Sequence, residues 1–337
     1  MKILVTGGAG YIGSHACIEL INSGYRIVVV DNLSNSSVES LKRIENLTST
    51  VIPFYNVDLR DIDALTRVFE QNVFDGVMHF AGAKAVGESV EFPIDYYDNN
   101  VGGTFVLTKV MQKFNCKTIV FSSSATVYGD PLMLPIKEDS PLTATNPYGR
   151  TKLIIEQFYQ DLFTSDVNWK IALLRYFNPV GAHESGLIGE DPRDIPNNLF
   201  PFISQVAVGK LERLTIFGDD YDTPDGTGVR DYVHVMDVAK GHVKAMQALS
   251  TRSSFLTVNL GTGIGYSVLD MIRAFEEASG MKVAYDIAGR RLGDIAACYA
   301  DSSLASEILG WKAEYTLGKM CEDTWRWQSM NPFGYGK

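Results

Sequence analysis

The sequence predicts an α/β fold: a doubly wound parallel sheet with a smaller, partly interleaved α/β domain. Short β-branched runs alternate with helical patterns through the first half of the chain, as in a sheet covered by helices on both faces. The runs at 27–30 and 171–174 are apolar at successive positions, which indicates strands buried on both faces of the sheet.

Six strand-and-helix units account for the first half. Their strands are predicted over Lys2–Thr6, Tyr25–Asp31, Val51–Asn56, Gly76–Phe80, Thr118–Ser122 and Lys170–Tyr176. The first domain is therefore placed at 1–176 and the second at 177–337, where Gly and Pro crowd the stretch 179–201. A helix over Met236–Leu249 and a strand over Thr257–Leu260 are the segments that could return to the first domain.

Composition excludes several classes of protein. The 30 Lys and Arg face 40 Asp and Glu, a formal charge of −10 without a basic run, which argues against a nucleic-acid partner. Apolar runs fall short of the ~20 residues of a membrane span, so we expect a cytoplasmic protein without membrane contact. The cysteines Cys17, Cys116, Cys298 and Cys321 are scattered without neighbouring ligands, which predicts neither disulfides nor a metal site.

A glycine-rich turn follows the first predicted strand and opens a helix. Gly7 and Gly10 would let the backbone turn tightly and approach a pyrophosphate, and Gly13 would let the helix pack near the strand. Asp31 ends the second strand, where a carboxylate accepts from a ribose 2′-hydroxyl and repels a 2′-phosphate. The pattern favours NAD over NADP, against the alternative of an ordinary tight turn and a strand-capping acid.

Weaker signals stand at other strand ends. Asp58 and Leu59 follow the third strand and could receive an adenine, and small residues follow the fourth strand near Gly82. Asn99 suits either a cap for the next helix or a cofactor contact. His79 is interpreted as a core histidine.

The chemical centre is predicted from serines 122–124 after the fifth strand and from Tyr148 with Lys152. Four residues apart on a helix, Tyr148 and Lys152 share one face. An ammonium and an oxidised nicotinamide both favour the phenolate, which makes Tyr148 a general base, and Ser124 can orient the same proton. Alone, such a pair indicates a solvated helix face; beside the glycine loop, catalysis is the better interpretation.

Several longer blocks resemble the UDP-galactose 4-epimerase family of extended short-chain dehydrogenases/reductases. They cover 6–15, 31–32, 79–82, 85–89, 122–129, 174–182 and 228–235, so the likeness runs nearly end to end. The resemblance implies C4 epimerisation of UDP-hexoses through a 4-keto sugar with tightly held NAD, and a homodimer formed through helices near Asp98–Lys113 and Tyr148–Thr164.

The resemblance also implies site residues. The cofactor set is Gly7, Gly10, Tyr11, Ile12, Gly13, Asp31, Asn32, Asp58, Leu59, Phe80, Ala81, Gly82, Lys84, Asn99, Ser122, Tyr148, Lys152 and Phe177. The substrate set is Ser124, Tyr148, Asn178, Asn198, Leu199, Thr215, Ile216, Phe217, Arg230, Arg291, Asp294 and Cys298. Arg230 and Arg291 would hold the two phosphates, although either could instead pair with Asp231 or Asp294.

Two alternative functions remain at this stage: a nucleotide-sugar dehydratase or reductase, and a passive NAD-binding regulator. Related dehydratases carry an acid pair where this chain has Ala125 and Thr126, which disfavours dehydration. A passive NAD-binding regulator would commonly have lost the tyrosine or the lysine. Cys298 stands where the better-known bacterial members carry tyrosine, so we predict that UDP-N-acetylhexosamines are also substrates, unless other groups close the pocket.

Overall fold

The computed structural model describes residues 1–192, 196, 198–251, 254–291 and 294–336. Its strands are β1 (Lys2–Thr6), β2 (Arg26–Asp31), β3 (Phe54–Asn56), β4 (Gly76–His79), β5 (Thr118–Ser124), β6 (Lys170–Tyr176), β7 (Asn178–Val180), β8 (Leu214–Phe217), β9 (Val229–His234), β10 (Phe255–Leu260), β11 (Gly265–Ser267), β12 (Tyr285–Ala288) and β13 (Ala297–Cys298).

The helices follow the same chain order. They are α1 (Tyr11–Asn22), α2 (Val38–Thr48), α3 (Ile62–Gln71), α4 (Val86–Glu91), α5 (Pro93–Tyr96), α6 (Gly103–Lys113), α7 (Pro147–Ser165), α8 (Leu199–Ala207), α9 (Val235–Thr251), α10 (Val268–Ser279), α11 (Ser303–Leu309) and α12 (Leu317–Met330). A π-helical turn, Tyr97–Gly102, joins α5 to α6, and a 3₁₀ turn, Ala125–Tyr128, follows β5.

The central sheet is parallel throughout and confirms the predicted fold class. Its strand order is β10-β6-β5-β4-β1-β2-β3. From β1 the chain winds outward through β2 and β3, then crosses to the other side of β1 and continues through β4, β5 and β6. This reversal leaves a crevice at the carboxyl ends of β1 and β4, the edge at which such sheets bind ligands.

All six predicted strands are present; β1 and β6 have the predicted ends, and the other four differ by one to three residues. The third begins at Phe54 rather than at Val51, because Pro53 has no N–H to donate to the ladder. The fifth runs two residues further than predicted, to Ser124. A seventh strand, β10, pairs with β6 along its whole length, and α9 packs against α1. The segments predicted over 236–249 and 257–260 thus lie in the layer built by the first 176 residues.

The later part of the chain forms a smaller layered unit. Strand β9 lies at its centre, paired with β7, β11 and β13, while β8 and β12 form a separate parallel pair. Helices α8, α10 and α12 pack together over these strands. Their apolar faces form a core of their own that includes Phe200, Ile203, Met271, Phe275 and Met320. This unit stands beside the carboxyl end of β6, because β7 follows β6 after one residue.

Candidate active site

The glycine loop between β1 and α1 is packed too closely for side chains. Gly7 has φ +69°, and a Cβ atom there would lie 2.6 Å from the amide nitrogen of Ala81. A Cβ atom at Gly13 would lie 2.2 Å from the carbonyl oxygen of Gly7. The loop therefore brings bare backbone and the amino end of α1 to the crevice, as a pyrophosphate site requires. Gly10 is the helix N-cap, and Tyr11 and Ile12 begin α1.

Asp31 ties the loop to the end of β2. Its carboxylate accepts from the amide of Ala9 at 3.1 Å, from the amide of Leu33 at 2.9 Å and from the hydroxyl of Ser36 at 2.8 Å. Asp31 is 8% exposed, and these three bonds fix its buried carboxylate between the glycine loop and the segment after β2.

The predicted adenine-side residues are joined by polar contacts. The amide of Asn32 donates to the carboxylate of Asp58 at 3.0 Å. Hydrogen bonds from Arg60 hold the pKa of Asp58 well below its usual range. Leu59, predicted at the adenine, is 9% exposed and packs in the core with Val28 and Val101. The side chain of Leu59 therefore packs against the core of the sheet beneath the segment that follows β3.

The segment after β4 forms the other wall of the crevice. The amides of Phe80 and Ala81 donate to the carbonyl of Thr6, at 3.0 and 3.1 Å. A Cβ atom at Gly82 would lie 3.8 Å from the Nζ atom of Lys152, so this wall leads from the glycine loop to the predicted chemical centre. The interpretation of His79 agrees with the structure: its ring nitrogens are within 2.7 Å of the Thr6 hydroxyl and 2.9 Å of the Thr104 hydroxyl.

Asn99 does not cap the following helix, so that alternative was wrong. The chain is already helical from Pro93, and Asn99 lies inside the π-helical turn that joins α5 to α6. Its amide donates to the side-chain oxygen of Asn100 at 3.0 Å. Asn100 in turn bonds the backbone of Ala83 and the hydroxyl of Thr151. The turn thus connects the crevice wall to α7.

Tyr148 lies in the first turn of α7. Asn146 caps this helix by accepting from the amide of Gly149 at 2.8 Å, and Pro147 occupies the position where a missing N–H costs nothing. Tyr148 is 7% exposed, and the pKa of its phenol is affected by hydrogen bonding with Ser124 at the end of β5. Burial raises the pKa of Tyr148 to about 12, while the bond to Ser124 acts in the opposite direction.

Lys152 lies one turn further along α7. Its ammonium donates to the carbonyl of Ser122 at 2.9 Å and stands 5.9 Å from the ring centre of Tyr148. Burial lowers the pKa of Lys152 to about 8, opposed by the charge of Glu156. Burial, not the ammonium, thus dominates the pKa of the tyrosine in this structure. The Ser122 hydroxyl bonds the ring of His242 at 2.8 Å.

The side chain of Glu190, which the sequence analysis did not identify, binds two of the predicted site residues. Lys84, predicted at the cofactor, pairs with Glu190 at 2.7 Å. Asn198, predicted at the substrate, donates to the same Glu190 oxygen at 2.9 Å. Asn198 is also the N-cap of α8, which begins at Leu199. Glu190 therefore links the two sides of the crevice.

Arg230 and Cys298 lie opposite each other on β9 and β13. Within the described ranges no carboxylate lies within 4 Å of the Arg230 guanidinium, which donates to the carbonyl of Val229 at 2.8 Å. The proposed pairing with Asp231 is absent because that buried carboxylate instead accepts from Thr262, Gly263 and Ala300. Cys298 packs in one cluster with Phe177. Asn178 begins β7 and is exposed.

Strand β8 carries the residues predicted to flank a uridine. Thr215 and Phe217 are exposed, whereas Ile216 is 2% exposed and belongs to the core, because successive strand residues face opposite sides. The side chain of Ile216 therefore does not flank a ligand, and only its backbone remains available. The Arg291 guanidinium lies 5.4 Å over the Phe217 ring. Here the alternative pairing is present, since Arg291 meets Asp294 at 3.1 Å.

Sequence reasoning missed the groups that hold the chemical centre in place. Glu156 is one turn beyond Lys152 and is bound by Arg175 and Ser123. Tyr148, Lys152 and Glu156 follow one another at intervals of four residues, which was a visible signal that they share a helix face. Arg175 lies in the apolar strand β6, and no pattern in the sequence indicates that it pairs with Glu156.

Two features are absent from the residues that the structure describes. No helix in that part of the chain is long and apolar enough to cross a membrane. No group of three or more His, Cys, Asp or Glu side chains there is arranged to hold a metal ion.

Fold and site together define an extended short-chain dehydrogenase/reductase: a parallel sheet with a glycine loop after β1, and a Ser, Tyr and Lys set after β5. The family model described as GDP-mannose 4,6 dehydratase matches residues 4–324. A UDP-glucose 4-epimerase from Bacillus subtilis is 60% identical over 335 residues, covering 99% of each chain. The chain belongs to the UDP-glucose 4-epimerase family.

Solved structures agree. The UDP-glucose 4-epimerase from Bifidobacterium longum, in complex with NAD+ and UDP, superposes with a TM-score of 0.97 at 56% identity, covering 99% of this chain and 100% of that one. The UDP-glucose-4-epimerase from Stenotrophomonas maltophila, with bound NAD and formylated UDP-arabinopyranose, gives 0.96 at 50% identity, covering 98% and 99%.

Proposed function

We propose that this chain interconverts UDP-glucose and UDP-galactose at C4 with tightly bound NAD, and that Tyr148 is the base. The observation that carries the proposal is the bond from the Lys152 ammonium to the carbonyl of Ser122 at 2.9 Å, which sets buried Tyr148 and Lys152 of α7 beside the carboxyl end of β5. Family membership supplies the reaction class.

The residues present fit NAD. Cβ atoms at Gly7 and Gly13 would fill the backbone cradle, so these positions leave the amino end of α1 bare for a pyrophosphate. Asp31 offers carboxylate oxygens for a ribose 2′-hydroxyl. When bound, NAD supplies reversible acceptance of hydride from the sugar C4, which leaves no net redox change.

Tyr148 would take the proton of the sugar 4-hydroxyl and later return it. Burial raises the pKa of its phenol to about 12, so a phenolate at neutral pH needs favourable charge and hydrogen bonds around it. Ser124 supplies one bond, and it is itself held by the Thr126 hydroxyl, which donates at 3.0 Å. The Lys152 ammonium supplies positive charge one turn away.

A dianionic UDP needs local positive charge in a chain of net charge −10. Arg230, which no described carboxylate neutralises, would bind one phosphate, and Arg291 would exchange its pairing with Asp294 for the other. Phe217 and Thr215 would flank the uracil and ribose, as the exposed side chains of β8. Asn178 and Asn198 would contact the sugar and pyrophosphate.

The reaction of the matching dehydratase model is less well supported. Elimination of water needs an acid near the leaving hydroxyl, and the two positions after Ser124 hold Ala125 and Thr126. Ala125, the first residue of the 3₁₀ turn, has no acidic group, and the hydroxyl of Thr126 donates its hydrogen bond to Ser124. A persistent 4-keto-6-deoxy product from a nucleotide sugar would overturn the proposal in favour of dehydration.

The test of the base is Tyr148→Phe. We expect UDP-galactose turnover, followed as UDP-glucose formed, to fall roughly 10²- to 10⁴-fold because the proton acceptor is gone. Tyr159→Phe is the matched control, since Tyr159 is also a buried tyrosine of α7. Full activity in Tyr148→Phe, or equal losses in both variants, would contradict the assignment.

We further propose that UDP-N-acetylhexosamines are substrates. Cys298 is opposite Arg230 and packs in one buried cluster with Phe177, which supports a place for its side chain near the sugar. A thiol there leaves room for an acetamido group that a tyrosine ring would occupy. Cys298→Tyr should lower turnover of UDP-N-acetylglucosamine by roughly 10- to 200-fold more than turnover of UDP-glucose.

Cys298→Ser is the control for that experiment because it keeps the size of the side chain. It should leave the ratio of the two kcat/KM values unchanged. An unchanged ratio in Cys298→Tyr would refute the role of Cys298 in sugar selection.

A homodimer through α6 and α7 is proposed as well. Phe105 is 37% exposed and its ring centre lies 4.7 Å from that of Phe158, which makes an apolar strip across these helices. Phe105→Lys should shift the sedimentation coefficient toward a monomer, and Val73→Lys, at a site that is 88% exposed on another surface, should not.

A cytoplasmic location is supported by four buried, unpaired thiols.

A further inference from the structure

Glu156 is buried behind the chemical centre and is bound from two strands. It lies on α7 one turn beyond Lys152 and is 3% exposed. The Arg175 guanidinium donates to its carboxylate through Nε at 3.0 and 3.2 Å and through Nη2 at 2.7 Å. The hydroxyl of Ser123 donates to the same carboxylate. The carboxylate thus joins α7 to β5 and to β6.

Arg175 is itself held on its far side. Its Nη1 atom donates to the hydroxyl of Tyr128 at 3.0 Å and to the carbonyl of Glu138 at 2.9 Å. Tyr128 donates onward to the side chain of Asn259 on β10 at 2.7 Å. The guanidinium therefore cannot follow Glu156 if α7 moves, and the pair forms a fixed anchor.

Stability alone does not explain a fully buried ion pair, since apolar side chains of similar volume often serve stability as well. The position of Ser123 is informative. Ser123 stands between Ser122, whose carbonyl accepts from the Lys152 ammonium, and Ser124, whose side chain lowers the pKa of Tyr148. The anchor is therefore fastened to the strand segment that both reactive side chains contact.

We propose that Glu156 is a positioning residue for the epimerase reaction: it holds α7 against β5 so that Tyr148 meets Ser124 and Lys152 meets Ser122, and its charge balances the ammonium. This inference rests on the proposed function of Tyr148 and Lys152. Glu156 itself does not touch the reacting atoms.

The pH dependence of this device is set by few groups. His79 on β4 and His242 on α9 have pKa values lowered by burial to about 3 and about 4, so both are neutral over the working range. The remaining charged or titratable groups around Lys152, Tyr148 and Glu156 are Tyr96 on α5, Tyr128 in the 3₁₀ turn, Glu138 before α7, and Arg175 and Tyr176 on β6. Burial raises the pKa values of the three tyrosines.

Glu156→Gln tests the proposal because it keeps the shape and removes the charge. Loss of a negative charge beside Lys152, with Arg175 left uncompensated, lowers the pKa of neighbouring proton-binding groups. We expect the pH profile of kcat on UDP-galactose, measured with NAD-saturated enzyme, to move toward lower pH by roughly half to one unit. The value of kcat should fall about tenfold with KM within about twofold.

Asp166→Asn is the matched control. Asp166 caps the far end of α7 and pairs with Lys117, which precedes β5, so it ties the same helix to the same strand away from the site. This variant should keep the pH profile and kcat of the parent. A shift of the pH profile in Asp166→Asn equal to that in Glu156→Gln would overturn the proposal.

Ser123→Ala covers the case in which Glu156→Gln does not fold. It removes one bond to the anchor and leaves the ion pair, so kcat should fall several-fold at constant KM while the pH profile keeps its position. Unchanged kcat in Ser123→Ala, or an unshifted profile in a folded Glu156→Gln, refutes the positioning role. Activity that survives Tyr148→Phe would instead refute the proposed function.

Discussion

At the scale of single residues, Lys152 shows the cost of placing a charge inside the protein. The side chain is 4% exposed, and its ammonium has one carbonyl partner and the faces of two aromatic rings, Phe121 at 4.8 Å and Tyr148. Burial lowers its pKa to about 8 from the ordinary value of 10.5. Below pH 8 the folded protein holds a buried ammonium that the unfolded chain would hydrate.

This pKa predicts how stability changes with pH. Between about 8 and 10.5 the unfolded chain binds more protons at Lys152 than the folded protein does, so the contribution of Lys152 to the free energy of unfolding rises with pH in this window. Lys152→Met should therefore raise the free energy of unfolding at pH 7 by roughly 1 to 3 kcal/mol, and by less at pH 10.

The measurement is urea unfolding of the cofactor-free protein at both pH values, alongside UDP-galactose turnover with added NAD, which should be lost. Lys312→Met is the control at an exposed lysine and should change the free energy of unfolding by less than about 0.5 kcal/mol. A Lys152→Met protein less stable than its parent at pH 7 would show that the contacts of the ammonium outweigh its desolvation.

At the scale of elements, the site is made where two helices begin at the carboxyl edge of the sheet. The start of α1 presents bare backbone because of its glycines, and the start of α7 presents Tyr148 because Asn146 and Pro147 fix the first turn. Both helices start next to central strands, β1 and β5. Each helix start can therefore be traced to local sequence.

Gly13→Ala should damage the first of these helix starts. The new Cβ atom would lie 2.2 Å from the carbonyl oxygen of Gly7, a backbone atom that cannot rotate away, so α1 must move outward. We expect a loss of about 2 to 4 kcal/mol in the free energy of unfolding and weaker NAD retention, measured by denaturation and by cofactor content after gel filtration.

Gly87→Ala is its matched control. Gly87 lies in α4, and a Cβ atom there would have no heavy atom within 4 Å, so the change should be neutral or slightly stabilising. Equal losses in the two variants would mean that the close approach of α1 to the loop does not limit stability.

The local patterns that located these elements are also the reason for the errors. Apolar runs identified every strand up to β6, but the ends moved where Pro53 or a hydrogen-bond ladder decided them. The π-helical turn at Asn99 has no periodic signature, so a helix cap stood as one of the two predictions for that residue. Alternation along β8 could have shown that Ile216 faces the core.

At the scale of the whole molecule, contacts between distant residues complete the site, and these were beyond local patterns. Lys84 and Glu190 are 106 positions apart, and Ser122 and His242 are 120 apart. Motifs predicted that Tyr148, Lys152 and Ser124 come together. They did not predict that Arg175 and Glu190 hold the walls in place, because each partner is chosen by the tertiary fold.

The same long-range construction predicts that residues 1–176 do not fold alone. Removing the later chain leaves one edge of β6 unpaired. In the full chain β10 pairs with six of the seven residues of β6, from Ile171 to Tyr176. It also removes Val238, Met246 and Val258 from the core that contains Ile3 and Val29. Apolar surface of this extent cannot be left in water by a stable domain.

A fragment of residues 1–176 should therefore show neither a cooperative thermal transition by circular dichroism nor retained NAD. Co-expression with a second fragment of residues 177–337 is the control, because it restores β10 and α9 without restoring the chain connection. We expect the pair to copurify with bound cofactor and to unfold in one transition. A cooperative, cofactor-binding fragment 1–176 would show instead that the first six strands suffice, and that the returning segments only cover an already stable sheet.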